Sequence, residues 1–247
     1  MTPFFRRIRK QLADNNKPIQ YLRYAIGEIV LVVIGILIAL QINTWNEEKN
    51  DRTYELKMLS EVKNSLKGDI EYFEWMIDRT NRVDSMVSVI SEQIINKSFF
   101  VDSLYLNEKK DWIGLRDGTF FRYNSGPYEA IKSSGIDKIS NDSLRVNLIE
   151  FYDYFYPLFR EIVIRDDRDY DSQMKTLKSF SFHTSVSKNK DDYQYTREYP
   201  KDLFQNQDFI TLIGEIQNRA KITSEYYKYP IPEIQDLIVQ IDNELKK

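Results

Sequence analysis

The chain has 247 residues, no Cys, one His and a formal net charge of −3. That length suits one or two domains with a real core, and 42% hydrophobic against 30% charged residues excludes a collagen-like or wholly disordered chain. Without Cys there are no disulfides, thiolate-bound zinc, iron–sulfur clusters or thiol catalysis, and one His leaves little to build a His metal site or a Ser-His-Asp triad.

The first segment, residues 1–23, is basic. Arg6, Arg7, Arg9, Lys10, Lys17 and Arg23 face a single acid, Asp14, so the head is positive while the body after it is acidic. An acidic body is no nucleic-acid footprint, and no nucleic-acid partner is expected. Thr2-Pro3 is a good cap and first-turn pair. Phe4, Phe5, Ile8 and Leu12 then share a face bordered by Arg6, Arg9 and Lys10. This pattern predicts an amphipathic helix lying at a membrane surface.

Residues 24–45 read as a membrane span. YAIGEIVLVVIGILIALQI (24–42) holds one charge, Glu28, and one amide, Gln41. Nineteen helical residues rise about 28 Å, close to the hydrocarbon thickness of a bilayer. Tyr21 and Tyr24 at one end and Trp45 at the other are the expected interfacial anchors. The residues that follow, LQINTWNEEKN, show no small-residue cleavage pattern, so the segment reads as an uncleaved signal anchor. Six basic residues precede it, whereas residues 46–65 mix four with five acids. The bias predicts a cytoplasmic N-terminus and an exported C-terminal domain.

Residues 46–247 read as an all-α domain. Leu59, Val62, Leu66, Ile70, Phe73, Ile77, Val83, Val87, Ile90 and Ile94 recur at helical spacing, predicting one long helix to about Ile95. Gly68 and Arg79–Asn81 are its expected weak points. Residues 96–127 look irregular. A short helix over Tyr128–Ser134 stops at Gly135, and Asn141–Ser143 offers the next N-cap. Leu144, Leu148, Phe151, Phe155, Leu158 and Ile162 mark that next helix, with a kink expected at Pro157. Residues 181–205 are polar and turn-rich and read as a surface loop. Phe209, Leu212, Ile213, Ile216 and Ala220 mark another helix; Ile234, Leu237, Ile238, Ile241 and Leu245 mark the last. The fold expected is an antiparallel helical bundle with a long first helix behind a single transmembrane helix.

Two stretches carry a family resemblance. YLRYAIGEIVLVVIGILIALQINTWNE (21–47) is similar to the N-terminal signature of the uncharacterised bacterial membrane family catalogued as domain of unknown function 6090. YEAIKSSGIDKISNDSLRVNLIEFYD (128–153) resembles that family's internal motif. The resemblance implies a single-pass inner-membrane protein of Gram-negative bacteria with a helical periplasmic domain. It implies no activity and no catalytic residue.

Motifs of catalysis and ligation are weak. Asp167-Arg168-Asp169-Tyr170-Asp171 imitates the opening of a calcium loop, but Ser172 stands where Gly is needed and Lys178 where Glu is needed. Ser60 and Lys63 have Ser-x-x-Lys spacing without the companion motifs of that chemistry. His183 sits in a polar stretch. No phosphate-binding loop occurs, and no metal or cofactor is expected.

Two features rise above background. Glu28, Gly35, Ala39 and Asn43, with Asn46, fall on one stripe of the membrane helix, within roughly 100° of each other at 100° per residue. Gly35-x-x-x-Ala39 permits close approach, and the polar side chains can bond across it. The stripe is expected to meet a second copy or another inner-membrane protein. The other feature is Phe151–Phe159, six aromatics in nine residues. Tyr152, Tyr154 and Tyr156 within it are candidates for an exposed partner surface, the alternative being a thick aromatic core.

The function expected is a membrane-anchored interaction or scaffold module. The alternatives are a periplasmic sensory or ligand-binding domain acting through a partner, a carboxylate-based enzyme, and a proton-linked transducer using Glu28. A pocket lined by the 151–159 aromatics would favour the sensory reading.

Overall fold

The computed structural model describes residues 18–96, 115, 118–189 and 192–247. The expected amphipathic head lies outside the described residues. Helix α1, Pro18–Ile95, is a single helix of 78 residues. It passes through Gly68 and Arg79–Asn81 without interruption. One interior Gly costs about 1 kcal/mol, less than the burial of one flanking Leu or Phe returns.

The chain divides into two compact units, residues 1–54 and 55–247. In the first, every side chain from Ile29 to Asn50 is exposed. The second begins at Glu55, ten residues beyond Trp45, where the expected span ends.

Within the second unit three helical rods of similar length lie side by side. One is residues 55–95 of α1. The second joins α3 (Asp142–Ile149), a π-helical turn (Glu150–Phe155) and α4 (Tyr156–Ser179). The third joins α5 (Gln207–Lys228) and α6 (Pro230–Glu244) across Tyr229. Side-chain bonds give their directions. Along α1, Lys63 pairs with Asp242 at 2.7 Å, Asn81 accepts from Ser224 and Asp84 accepts from Gln217, so the third rod runs antiparallel to the first. Asp69 meets Tyr156, while Val87 and Ile90 share a core with Met174 and Leu177, so the second rod runs parallel to α1. The second and third oppose each other, as Asn147 to Gln240 and Arg219 to Gln173 show.

A non-regular segment, 118–125, runs back along α1, with Arg79 donating to the Gly118 carbonyl, Tyr72 to the Phe120 carbonyl and Ser65 to the Asn124 carbonyl, and the short helix α2 (Gly126–Gly135) follows it. Asn141 caps α3 through its Oδ1, which accepts from the Leu144 N–H at 3.1 Å. Gly135 closes α2 at φ 113°, a conformation that a side chain resists. A Cβ there would also stand 2.8 Å from Asp137 Oδ1. Gly135→Ala is therefore expected to cost about 2 kcal/mol. An unchanged melting temperature would show that the turn relaxes freely.

The expected surface loop at 181–205 is not a loop. β1 (Phe182–Asn189) and β2 (Asp192–Glu198) pair antiparallel, followed by a 3-10 turn at Leu203–Gln205. Thr184, Val186, Tyr193 and Tyr195 supply the β-branched and aromatic content of a hairpin, and the connection is only two residues. The class remains all-α, since this hairpin is the only sheet among the described residues.

Candidate functional site

The apolar part of α1 is long enough to cross a membrane. Its most apolar window has a mean hydropathy of 2.6 and contains no buried residue. Gly35 and Ala39 are exposed, and a Cβ on Gly35 would meet nothing within 4 Å. Asn43 donates to Glu47 at 2.8 Å, one turn on. Glu28 is half-buried. Trp45 is exposed, with Lys49 Nζ 5.8 Å above its ring. The side chains of Tyr21 and Tyr24 lie outside the described residues.

The second candidate is a buried carboxyl. Asp69 occupies the inward stripe of α1 between Leu66 and Phe73 and is 5% exposed. Its Oδ1 accepts the Asn124 N–H at 3.1 Å, and its Oδ2 accepts the Tyr156 hydroxyl at 2.8 Å. Burial pushes the carboxyl up to about 6 from 3.8, against these two hydrogen bonds and the nearby Arg122 charge. The same burial, with Asp69 beside it, raises Tyr156 far above the ordinary phenol range. Asp69 forms the floor of a crevice of about 620 Å³ lined also by Glu61, Asn64, Tyr72, Arg122 and Tyr123. Burial likewise lifts Tyr72 to about 12, and its hydroxyl donates to the Phe120 carbonyl.

Beside Asp69, joined to it through Tyr156, lies an aromatic layer. Phe73 is fully buried, with Phe121 stacked at 5.7 Å and Tyr156, Phe159 and Tyr227 around it at 5.9–6.4 Å. Tyr123 lies 4.2 Å from Tyr156, and Tyr128 stacks on Tyr152 at 4.4 Å. The expected partner surface of Tyr152, Tyr154 and Tyr156 does not form. Tyr152 and Tyr156 are buried, at 4% and 0% exposure, and belong to this core. Only Tyr154 reaches solvent, at 66%. The reason is helical phase. Tyr152 and Tyr156 are four apart and face α1, while Tyr154 lies on the opposite side of the rod.

Just before Pro157, where a kink was expected, the helix takes a π turn. The Tyr156 N–H bonds the Phe151 carbonyl, five residues back. Pro157 has no N–H to offer, and the wider turn makes room for its ring. Phe151, Phe155 and Phe159 then form a ladder, stacked at 5.2 and 6.3 Å, with Tyr229 laid on Phe155 at 5.8 Å. Two cavities flank that stack. One, of about 340 Å³, includes Glu150, Tyr154, Glu233 and Asp236 in its wall. The other, of about 580 Å³, includes Leu158, Phe159, Ile162 and Tyr226. Both share Phe155 and Tyr229.

Residues 167–171 are helical within α4, which commits their backbone to the helix ladder and removes the loop carbonyls that a calcium site needs. Lys63 is paired to Asp242 and so is not poised against Ser60. The side chain of His183 lies outside the described residues. Among the described residues no group of three His, Asp or Glu stands close enough to hold a metal ion.

Asp69 and the cavity residues Glu150, Glu233 and Asp236 were not among the candidates read from the sequence. One signal for Asp69 was available: an acid stands where the spacing from Leu66 to Phe73 calls for an apolar residue. The model of DUF6090, a family of unknown function, matches residues 28–218. No curated protein and no solved structure matches the chain.

Proposed function

We propose, from the premise that the chain belongs to the DUF6090 family, that it is a membrane-anchored interaction module. On this reading α1 holds it in a bacterial inner membrane with the basic head in the cytoplasm and residues 46–247 in the periplasm. The basic head beside the apolar run supports that orientation. The observation that carries the function is the exposed Gly35–Ala39 face of the stripe, where a Cβ on Gly35 would meet nothing within 4 Å. A helix with an acid, two small residues and an amide along one face makes its polar and close-packing contacts with another membrane helix. The second unit, closed around its own core, presents the module outside the bilayer.

The test is crosslinking in native membranes. Wild-type chain is expected to give a discrete crosslinked species, either with itself or with one other membrane protein. Gly35→Leu with Ala39→Leu is expected to abolish it, because the added side chains fill the approach surface at two exposed positions, and a Cβ on Gly35 meets nothing within 4 Å. Crosslinking that survives the double substitution would sink the stripe.

A second reading is favoured by a specific observation. The paired cavities around Phe155 and Tyr229 are lined by the 151–159 aromatics, which suits a ligand-binding domain that signals through its partner.

A further inference from the structure

The two helical irregularities of the second unit meet at one place. The π turn Glu150–Phe155 interrupts the second rod, and the Tyr229–Pro230 junction interrupts the third. Phe155 of the one stacks on Tyr229 of the other. A π turn gives up regular α-helical hydrogen bonding, and such turns concentrate at functional sites. Here their meeting opens a groove with two unlike halves on either side of the Phe155–Tyr229 pair.

The halves differ in chemistry. The smaller carries three acids, Glu150, Glu233 and Asp236, together with the exposed ring of Tyr154. Asp236 is oriented by Gln240, whose Nε2 donates to it at 2.6 Å. The larger half is apolar. Its one acid, Glu225, is paired to Lys228 at 2.6 Å. No residue lining either half is Lys or Arg. Leu158 and Tyr229 remain 46% and 67% exposed, so large apolar surface stays open to a ligand.

We infer that this groove binds an organic cation carrying an apolar body. A protonated or quaternary amine sits among Glu150, Glu233 and Asp236 and against the faces of Tyr154 and Tyr229, where ring quadrupoles and carboxylates attract the same charge. The aliphatic or aromatic body extends past Phe155 onto Leu158, Phe159 and Ile162. An anion is repelled by the acidic half, and a neutral ligand gains no charge attraction from it. The inference rests on the ligand-binding reading and gives it a ligand class.

The test uses the full chain in phosphatidylcholine nanodiscs with labelled Ile and Leu methyl groups. The probes are phenethylamine and its neutral counterpart 2-phenylethanol. Phenethylamine is expected to shift the Leu158, Ile162 and Leu237 methyls saturably, about tenfold more tightly than the alcohol. Glu150→Gln with Glu233→Gln, both exposed positions, is expected to erase that preference while the remaining spectrum is unchanged. Tyr229→Ala is expected to weaken both probes. Equal binding of amine and alcohol would overturn the cation assignment and keep a ligand groove. An absence of shifts at these three methyls with either probe would overturn both the assignment and the ligand-binding reading.

Discussion

Replacing Ile34 and Leu37 with Arg is expected to release the chain from the membrane. Both side chains lie in the middle of the apolar run of α1, and both are exposed, in a stretch with no buried residue. Each Arg at the centre of a span opposes insertion by about 3 kcal/mol, and each lost Ile or Leu removes about 0.5 kcal/mol of driving force. The pair therefore shifts insertion by about 7 kcal/mol, or roughly five orders of magnitude. The second unit buries its own core residues, from Leu59 to Ile241, and is expected to stay folded. The measurement is alkaline extraction followed by flotation. Wild-type chain should float with lipid and the variant should remain in the supernatant. A variant that still floats would mean that something other than this helix holds the chain to the bilayer.

The long helix was legible because its buried stripe is long. Leu59, Val62, Leu66, Phe73, Val83, Val87 and Ile90 are all buried, and their spacing alone sets the inward face. The same holds for Phe209, Leu212, Ile213 and Ile216 in α5 and for Ile234, Leu237 and Ile241 in α6. What hides from periodicity is a polar residue within the stripe. Glu55, Asp69 and Thr80 are buried there. Each is tolerated because a distant or neighbouring group satisfies it: Ser140 for Glu55, Asn124 and Tyr156 for Asp69, the preceding turn for Thr80. Those partners lie up to 87 positions away in sequence, beyond any local pattern. The Phe151–Phe159 run failed for the opposite reason. Aromatics on every side of a helix carry no phase, so only packing decides that Tyr156 is core and Tyr154 is surface. The hairpin was hidden by polarity: Ser, Lys, Asn, Asp and Gln fill much of its strands, Val186 and Tyr193 stay exposed, and composition suggested a loop. The groove needs two irregularities from segments far apart in sequence, and neither alone predicts the other.

Asp69 gives the second large effect, and its sign is unusual for a carboxylate. Its folded value of about 6 lies above the ordinary 3.8. The folded chain therefore holds the proton more tightly than the unfolded chain does. Between about pH 4 and pH 6 the unfolded state has lost this proton while the folded state keeps it, so folding stability falls as pH rises through that window. A difference of about two units corresponds to about 3 kcal/mol, and the loss is complete above about pH 7. Asp69→Asn mimics the protonated side chain: one oxygen still accepts the Asn124 N–H, and the amide can donate to the Tyr156 oxygen. Relative to this variant, wild type should lose stability between pH 4 and pH 6. Asp69→Ala should instead cost about 3 kcal/mol at acidic pH, because it leaves the Tyr156 hydroxyl and the Asn124 N–H buried without an acceptor. Urea unfolding at a series of pH values, read by near-ultraviolet circular dichroism from the aromatic layer, separates the two. A difference between wild type and Asp69→Asn that stays flat with pH would show that the carboxyl titrates as it does in water. The crevice of Glu61, Arg122 and Tyr123 would then solvate it, and the Tyr156 bond would hold a charged group at little cost.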